Sequence, residues 1–176
     1  MSMLCKMHKI LILPNGIKEP ALIGVYDENL KLDKDFVLNA PLSDALVPKF
    51  MDLEKQGIEF DTLYFVRGPG SFMALKLIYL FAKTLEIARG IKLYATHAFY
   101  FNGNSPIKAY GDCYFVCENV KNATICVKKF AAIPHILPFS LPGVLDSSIF
   151  GENLQPLYLL PPVWDVKCLR IYRIIV

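Results

Sequence analysis

Residues 67–72, Arg-Gly-Pro-Gly-Ser-Phe, are the first place in the chain to look for chemistry. Gly68 and Gly70 allow a tight backbone turn, and a helix beginning after Ser71 would present free amides and a positive dipole end to an anion. Turn geometry is the commoner reason for such glycines, and a helix N-cap the commoner role for the serine. The turn is a candidate anion or nucleotide loop. We add Asp112 to it, a carboxylate that precedes a predicted strand and is otherwise a turn residue.

The spacing of this turn departs from the known phosphate and nucleophile motifs. It lacks the Gly-Lys-Ser or Gly-Lys-Thr of a P-loop, and Met73 stands where the dinucleotide fingerprint needs a glycine. Gly70-Ser71-Phe72 does not match the G-x-S-x-G nucleophile elbow either. The turn alone therefore names no reaction.

The sequence also contains no pattern typical of a metal or cofactor site. No histidine has a ligand partner at helical or knuckle spacing, and the three neighbouring cysteines do not form a paired zinc knuckle. The residues concerned are His8, His97, His135, Cys113, Cys117 and Cys126. We predict no catalytic residue, no metal and no cofactor.

The elements around the turn predict an α/β fold. A buried strand, Leu63–Val66, leads into it, and a helix follows over Ser71–Arg89 with Gly90 at its C-terminus. Three antiparallel strands and a helix precede this unit, and a further strand follows it. The alternation of strand, helix, strand, helix and strand predicts that those strands are parallel neighbours joined by right-handed crossovers. These segments are Lys9–Leu13, Ala21–Asp27, Leu30–Leu38, Ser43–Gln56 and Lys92–Ala95.

The second half of the chain is harder to interpret. The loop at 102–106 is a candidate boundary between a lobe over 1–104 and a smaller one over 105–176. We predict strands at Cys113–Cys117, Ala123–Phe130 and Leu157–Leu160, and a short helix within 141–150. The tail, 169–176, is compatible with either a strand or a helix.

The composition is that of an apolar globular protein. Of the 176 residues 54% are hydrophobic and 20% charged, and the net charge of +3 is too small to indicate a nucleic-acid partner. We predict neither a signal peptide nor a membrane anchor at the start of the chain, an odd set of five reduced cysteines, and a cytoplasmic location. The helix at 71–89 is apolar on so many sides that we expect a partner to cover it, although core packing is the commoner reason.

The glycine turn resembles a known signature. Residues 67–76, RGPGSFMALK, are similar to the GPGSFTGLR of the TsaB (YeaZ) family, and residues 43–48, SDALVP, to its S-E-x-L-L-P segment at the matching spacing. Ala82-Lys83 and Gly90-Ile91 match its A-K-G-L-A and G-I-P stretches, and residues 156–159 resemble its P-x-Y-L-R. The resemblance is specific over residues 43–95.

The resemblance implies an actin-like, ribonuclease-H-like (ASKHA) lobe with a mixed five-stranded sheet and helices, and a reduced second α/β lobe. It implies a non-catalytic subunit of the machinery that makes N6-threonylcarbamoyladenosine in tRNA. Such a subunit pairs with and activates a TsaD-like catalytic subunit and works with a TsaE-like ATPase through the complex. Members of the family also form homodimers, and tRNA contact would be indirect.

Pairing in this family uses the two helices of the first lobe, here 43–56 and 71–89. We expect Leu75→Asp or Leu77→Asp to abolish association, because an unpaired buried charge is costly. The interface predicted by the resemblance comprises Leu46, Val47, Phe50, Phe72, Leu75, Lys76, Tyr79 and Lys83.

The chain departs from the family in its first loop, where Leu13-Pro14-Asn15-Gly16 replaces I-D-T-S. Actin-like kinases hold metal and phosphate with an acid there, so we expect no ATP hydrolysis by this chain. The alternative hypothesis is an actin-like, nucleotide-binding phosphotransferase that uses Gly68, Gly70, Ser71 and Asp112.

Overall fold

The computed structural model describes residues 7–14, 20–121 and 123–159. The predictions for Asn15-Gly16, Leu160 and the tail concern residues outside these ranges. The described strands and α-helices are β1 Met7–Leu13, β2 Ala21–Tyr26, β3 Leu32–Leu38, α1 Leu42–Lys55, β4 Glu59–Val66, α2 Phe72–Arg89, β5 Lys92–Thr96, β6 Ile107–Tyr110, β7 Cys113–Asn119 and β8 Thr124–Lys129. Two short 3-10 helices occupy Ala98–Phe101 and Ser147–Ile149.

The first five strands form one mixed sheet in the order β3-β2-β1-β4-β5. The pairs β1–β2 and β2–β3 are antiparallel, whereas β1–β4 and β4–β5 are parallel. Parallel neighbours need a crossover, and α1 and α2 supply the two that the sequence predicts. The prediction of a mixed five-stranded sheet with helices is confirmed.

Both α-helices cover one face of this sheet. Successive side chains of a strand point to opposite faces, so Ile10 and Ile12 of β1 face the helices together with Leu63 and Phe65 of β4. The inward residues of the two helices close this core: Leu42, Leu46, Phe50, Leu53, Ala74, Ile78, Ala82 and Leu85.

The opposite face of the sheet is covered by the second half of the chain. Leu11 of β1 and Tyr64 of β4 pack there in one cluster with Phe99, Phe115 and Ile125. Phe115 and Ile125 belong to a second, antiparallel sheet in the order β6-β7-β8. The two sheets therefore share a hydrophobic core.

Residues 141–157, which we call the return segment, run back across the first sheet. Near one edge the amide of Leu145 donates to the carbonyl of Leu30 at 2.8 Å. At the other edge Ala95 and Gly151 exchange two backbone hydrogen bonds, of 2.9 and 3.0 Å. The loop at 102–106 thus separates the two sheets, but residues well beyond it complete the core of the first one.

Several predicted elements need correction. In the described residues beyond 104 the second unit consists of strands, a 3-10 turn and loops without an α-helix, because Pro134, Pro138 and Pro142 interrupt helical hydrogen bonding there. The short helix predicted within 141–150 is a single 3-10 turn, and residues 157–159 are not a strand. The sequence analysis also missed β6, whose four residues carry a weak pattern.

The helix ends are partly as predicted. Gly90 has φ 67° in the left-handed region and ends α2, and Ser71 occupies the N-cap position without a capping hydrogen bond from its side chain. Helix α1 begins at Leu42 after Pro41, one residue before the predicted start at Ser43. The Ser43 hydroxyl donates to the Asp44 carboxylate at 3.0 Å.

Candidate functional site

The outward side of α2 carries a line of exposed apolar side chains. Met73, Leu80 and Ile87 are 59%, 51% and 84% exposed, and their spacing of seven residues places them on one stripe of the helix. Leu77 lies between them and is partly buried against the core. Within the described ranges no helix is long and apolar enough to cross a membrane.

Helix α1 adds two exposed apolar side chains to the same helical layer. Val47 and Met51, four residues apart, are each about half exposed. At the C-terminal ends of the two helices the Arg89 guanidinium donates to the Glu54 carboxylate. Ring packing between Phe50 and Phe81, with centroids 4.6 Å apart, joins the middle parts of the two helices. We call Val47, Met51, Phe72, Met73, Leu80 and Ile87 the outer apolar surface.

The structure divides the predicted interface residues into two groups. Leu46, Phe50 and Leu75 are buried in the subunit's own core and cannot offer their side chains to a partner, which corrects that part of the prediction. Leu46 and Phe50 lie on the side of α1 that faces the sheet, and Leu75 is buried beside the glycine turn. The other predicted residues stay wholly or partly exposed: Val47, Phe72, Lys76, Tyr79 and Lys83.

The N-terminal end of the outer apolar surface has an aromatic edge. The rings of Phe72 and Tyr158 pack with centroids 4.6 Å apart, so the residue that follows the return segment lies beside the first turn of α2. Burial, together with the neighbouring Tyr79, raises the pKa of Tyr158. The Tyr158 phenol therefore stays neutral at physiological pH and supplies apolar area with a polar hydroxyl.

The glycine turn is less open than an anion cradle requires. Gly68 has φ 127°, and a Cβ there would lie 3.1 Å from side-chain atoms of both Leu157 and Leu75. The Leu157 amide donates to the Arg67 carbonyl at 2.7 Å, which fixes the return segment over the turn. Gly70 alone faces open space. Backbone conformation and close packing thus explain the glycine at position 68.

The remaining predicted site residue lies elsewhere. Asp112 is exposed in the turn between β6 and β7, where its carbonyl accepts from the Phe130 amide at 2.9 Å. No hydrogen bond or ion pair joins it to Gly68, Gly70 or Ser71 in the described part of the chain. Over the same residues, no three histidine, cysteine or acidic side chains are grouped to hold a metal ion.

The sequence analysis missed four residues of the outer apolar surface: Met51, Met73, Leu80 and Ile87. Three of them form the seven-residue repeat of α2, and that repeat is visible in the sequence. It was hidden because the inward positions of α2 are apolar too, so periodicity alone did not show which side faces solvent.

Comparisons with known proteins relate this chain to solved structures. YeaZ from Pseudomonas aeruginosa superposes with a TM-score of 0.50 at 16% sequence identity, covering 77% of this chain and 70% of that chain. A crystal structure of an uncharacterized protein with similarity to peptidase YeaZ from Pseudomonas aeruginosa gives 0.49 at 16% identity, with the same coverage. No protein-family model and no curated protein matches the chain. The superposition on the first of these structures shows the fold alone: the chain has a YeaZ-like fold.

Proposed function

We propose that this protein is a non-catalytic scaffold of the TsaB type, which pairs with a TsaD-like catalytic subunit and activates it in making N6-threonylcarbamoyladenosine in tRNA. We also assign its first sheet to the actin-like, ribonuclease-H-like class. The proposal combines the YeaZ-like fold with the signature-like residues 67–76 at the strand-to-helix turn.

The observation that carries the proposal is the outer apolar surface. Each of its six side chains is about half exposed or more, on helices whose other side is already buried in the core. Burying apolar area stabilises a complex by about 25 cal/mol per Å² before the costs of association are subtracted. A partner that presents apolar helices would therefore gain free energy from this layer.

Charged groups beside the apolar stripe would orient the partner. Lys76 is exposed, and Lys83, seven residues further on, lies on the same side of α2 and pairs with the carboxylate of Glu86. Such rim charges contribute more to specificity and association rate than to affinity. We expect acidic residues on the facing helix of the partner.

A scaffold role also agrees with the residues of the glycine turn. The return segment covers Gly68, and Asp112 belongs to another part of the fold. The geometry of the turn therefore supports phosphate binding less well than the exposed apolar side chains of the helical layer support binding of a partner.

The test is reconstitution with the TsaD-like subunit of the same organism. We expect the two purified chains to elute together in size-exclusion chromatography, and the modification of tRNA by the catalytic subunit to depend on this chain. Separate elution at micromolar concentrations, together with unchanged modification when this chain is omitted, would contradict the proposal.

A further inference from the structure

A small polar pocket lies at the carboxyl ends of β4 and β5, away from the outer apolar surface. Its volume is about 150 Å³, and its lining includes Arg67, Thr96, His97, Tyr100, Lys121 and Asn153. None of these residues belongs to α1 or α2. The carboxyl ends of parallel strands are the usual ligand-binding edge of α/β sheets.

The lining of the pocket carries positive charge without a matching carboxylate. Neither aspartate nor glutamate contributes to it. The Arg67 guanidinium donates to the Gln155 carbonyl at 3.3 Å, and burial lowers its pKa. Over residues 7–14, 20–121 and 123–159, no ion pair involves Arg67 or Lys121. A partly buried cation without an anionic partner is costly, so a bound anion would relieve it.

The same wall contains a buried polar atom that lacks a partner. His97 is 6% exposed, and its ring stacks on Tyr100 with centroids 4.4 Å apart. Nε2 lies 2.8 Å from the Val120 carbonyl and must carry the proton that it donates there. Nδ1 has no hydrogen-bond partner among the described residues. Buried polar atoms are rarely left unpaired, so His97 adds an unsatisfied polar group to the lining of a pocket that already carries positive charge.

We propose that this pocket binds a small oxyanion, the phosphate or carboxylate group of a ligand, between Arg67 and Lys121 with His97 as its buried wall. The pocket volume is about 150 Å³. It falls below the range of about 300–1,000 Å³ typical of drug-sized ligands, so it would admit an anionic group and not a whole nucleotide. This site shares no residue with the outer apolar surface and does not depend on the proposed function.

Binding of the oxyanion would be coupled to a proton on His97. Burial, with a further contribution from the charge of Arg67, lowers the pKa of His97, so the free protein holds the ring neutral. An anion would offset the charge of Arg67, which otherwise disfavours a proton on the ring. The ring of His97 packs against Tyr100 and Phe99 and bonds to the Val120 carbonyl, and the charged groups of the same pocket are Arg67 and Lys121. We therefore expect tighter binding at about pH 6 than at about pH 8.

The experiment is an NMR titration of the histidine rings in the full chain. Sodium phosphate, sodium acetate and ATP are compared with sodium chloride at equal ionic strength. We expect a saturable shift of the His97 ring with phosphate or acetate, while the exposed His135 ring reports general salt effects. A response to acetate alone indicates a carboxylate ligand and a response to phosphate alone a free phosphate. A saturable response to ATP indicates the phosphate of a larger ligand.

The variant that decides the matter is Arg67→Gln. Loss of one charge-assisted contact should weaken binding at least about tenfold. Lys31→Gln removes the same charge from an exposed position on the far edge of the first sheet and should bind as the wild type does. Lys121→Gln is the second variant. Because the Lys121 side chain is exposed, this variant should stay folded and can test the site if Arg67→Gln fails to fold. Equal responses to chloride and to the oxyanions would overturn the proposal, as would full binding by a folded Arg67 or Lys121 variant.

Discussion

The inner and outer sides of α2 are both apolar but lie in different environments. On the inner side Ile78 is buried in the core against the first sheet and Leu75 beside the glycine turn, whereas Leu80 and Ile87 on the outer side are at least half exposed. Burial inside the subunit explains the first pair as core. It does not explain the second pair, because exposed apolar groups gain nothing from the fold itself. The difference shows which apolar residues serve stability and which remain available for binding.

The largest expected effect comes from placing a charge on the inner side. Leu75→Asp should unfold the protein, since an unpaired buried carboxylate costs about 3–5 kcal/mol or more, a large part of a typical domain's stability. Far-UV circular dichroism and urea denaturation measure this. This variant cannot test association, contrary to the sequence-based prediction, because it removes the fold first. A cooperative urea transition at the wild-type midpoint would show that α2 does not pack as described.

The return segment offers a similar comparison between neighbouring residues. Leu145 is 2% exposed in the core between the sheets, whereas Val144 is 66% exposed. We expect Leu145→Ala to lower the free energy of unfolding by about 2–5 kcal/mol and Val144→Ala to change it by less than about 0.5 kcal/mol. Urea denaturation of both variants measures the difference. Equal effects would mean that the segment is not part of the cooperative core.

A pH-dependent effect should arise from His97. Its pKa is lowered in the folded protein, mainly by burial, so the unfolded chain binds a proton more readily. Stability should therefore fall as the pH drops through about 6.5, the ordinary histidine value, and continue falling towards the folded-state pKa. The measurement is the free energy of unfolding at several pH values, compared with His97→Gln. If both proteins lose the same stability over this range, His97 is not responsible.

The smallest effect is expected where the two helices are joined at the surface. The pair Arg89–Glu54 is partly exposed on both sides, so Arg89→Gln should cost less than about 1 kcal/mol and lose its effect in high salt. Urea denaturation at low and high ionic strength measures this. A larger, salt-independent loss would indicate that the ion pair contributes to the core of the helical layer.

The sequence was sufficient for the strongly patterned first half of the fold. The strand Leu63–Val66 and the helix ending at Gly90 were predictable because short apolar runs and turn residues act locally. The return segment was not predictable, because its hydrogen bonds to Leu30 and Ala95 join residues far apart in sequence. The candidate site was only partly predictable. The side of α2 that is exposed to solvent depends on how the helix packs on the sheet, which the sequence pattern of the helix does not determine.

The account rests on the claim that the outer apolar surface binds a partner, and a binding titration tests it most directly. Leu80→Asp is compared with Val37→Asp, which changes a side chain of nearly equal exposure, 51% and 49%, on the edge strand β3. Both variants should stay folded. Affinity for the TsaD-like subunit should fall at least about tenfold in Leu80→Asp alone, because a charge there would be desolvated in the complex. Wild-type affinity in a folded Leu80→Asp would contradict the account.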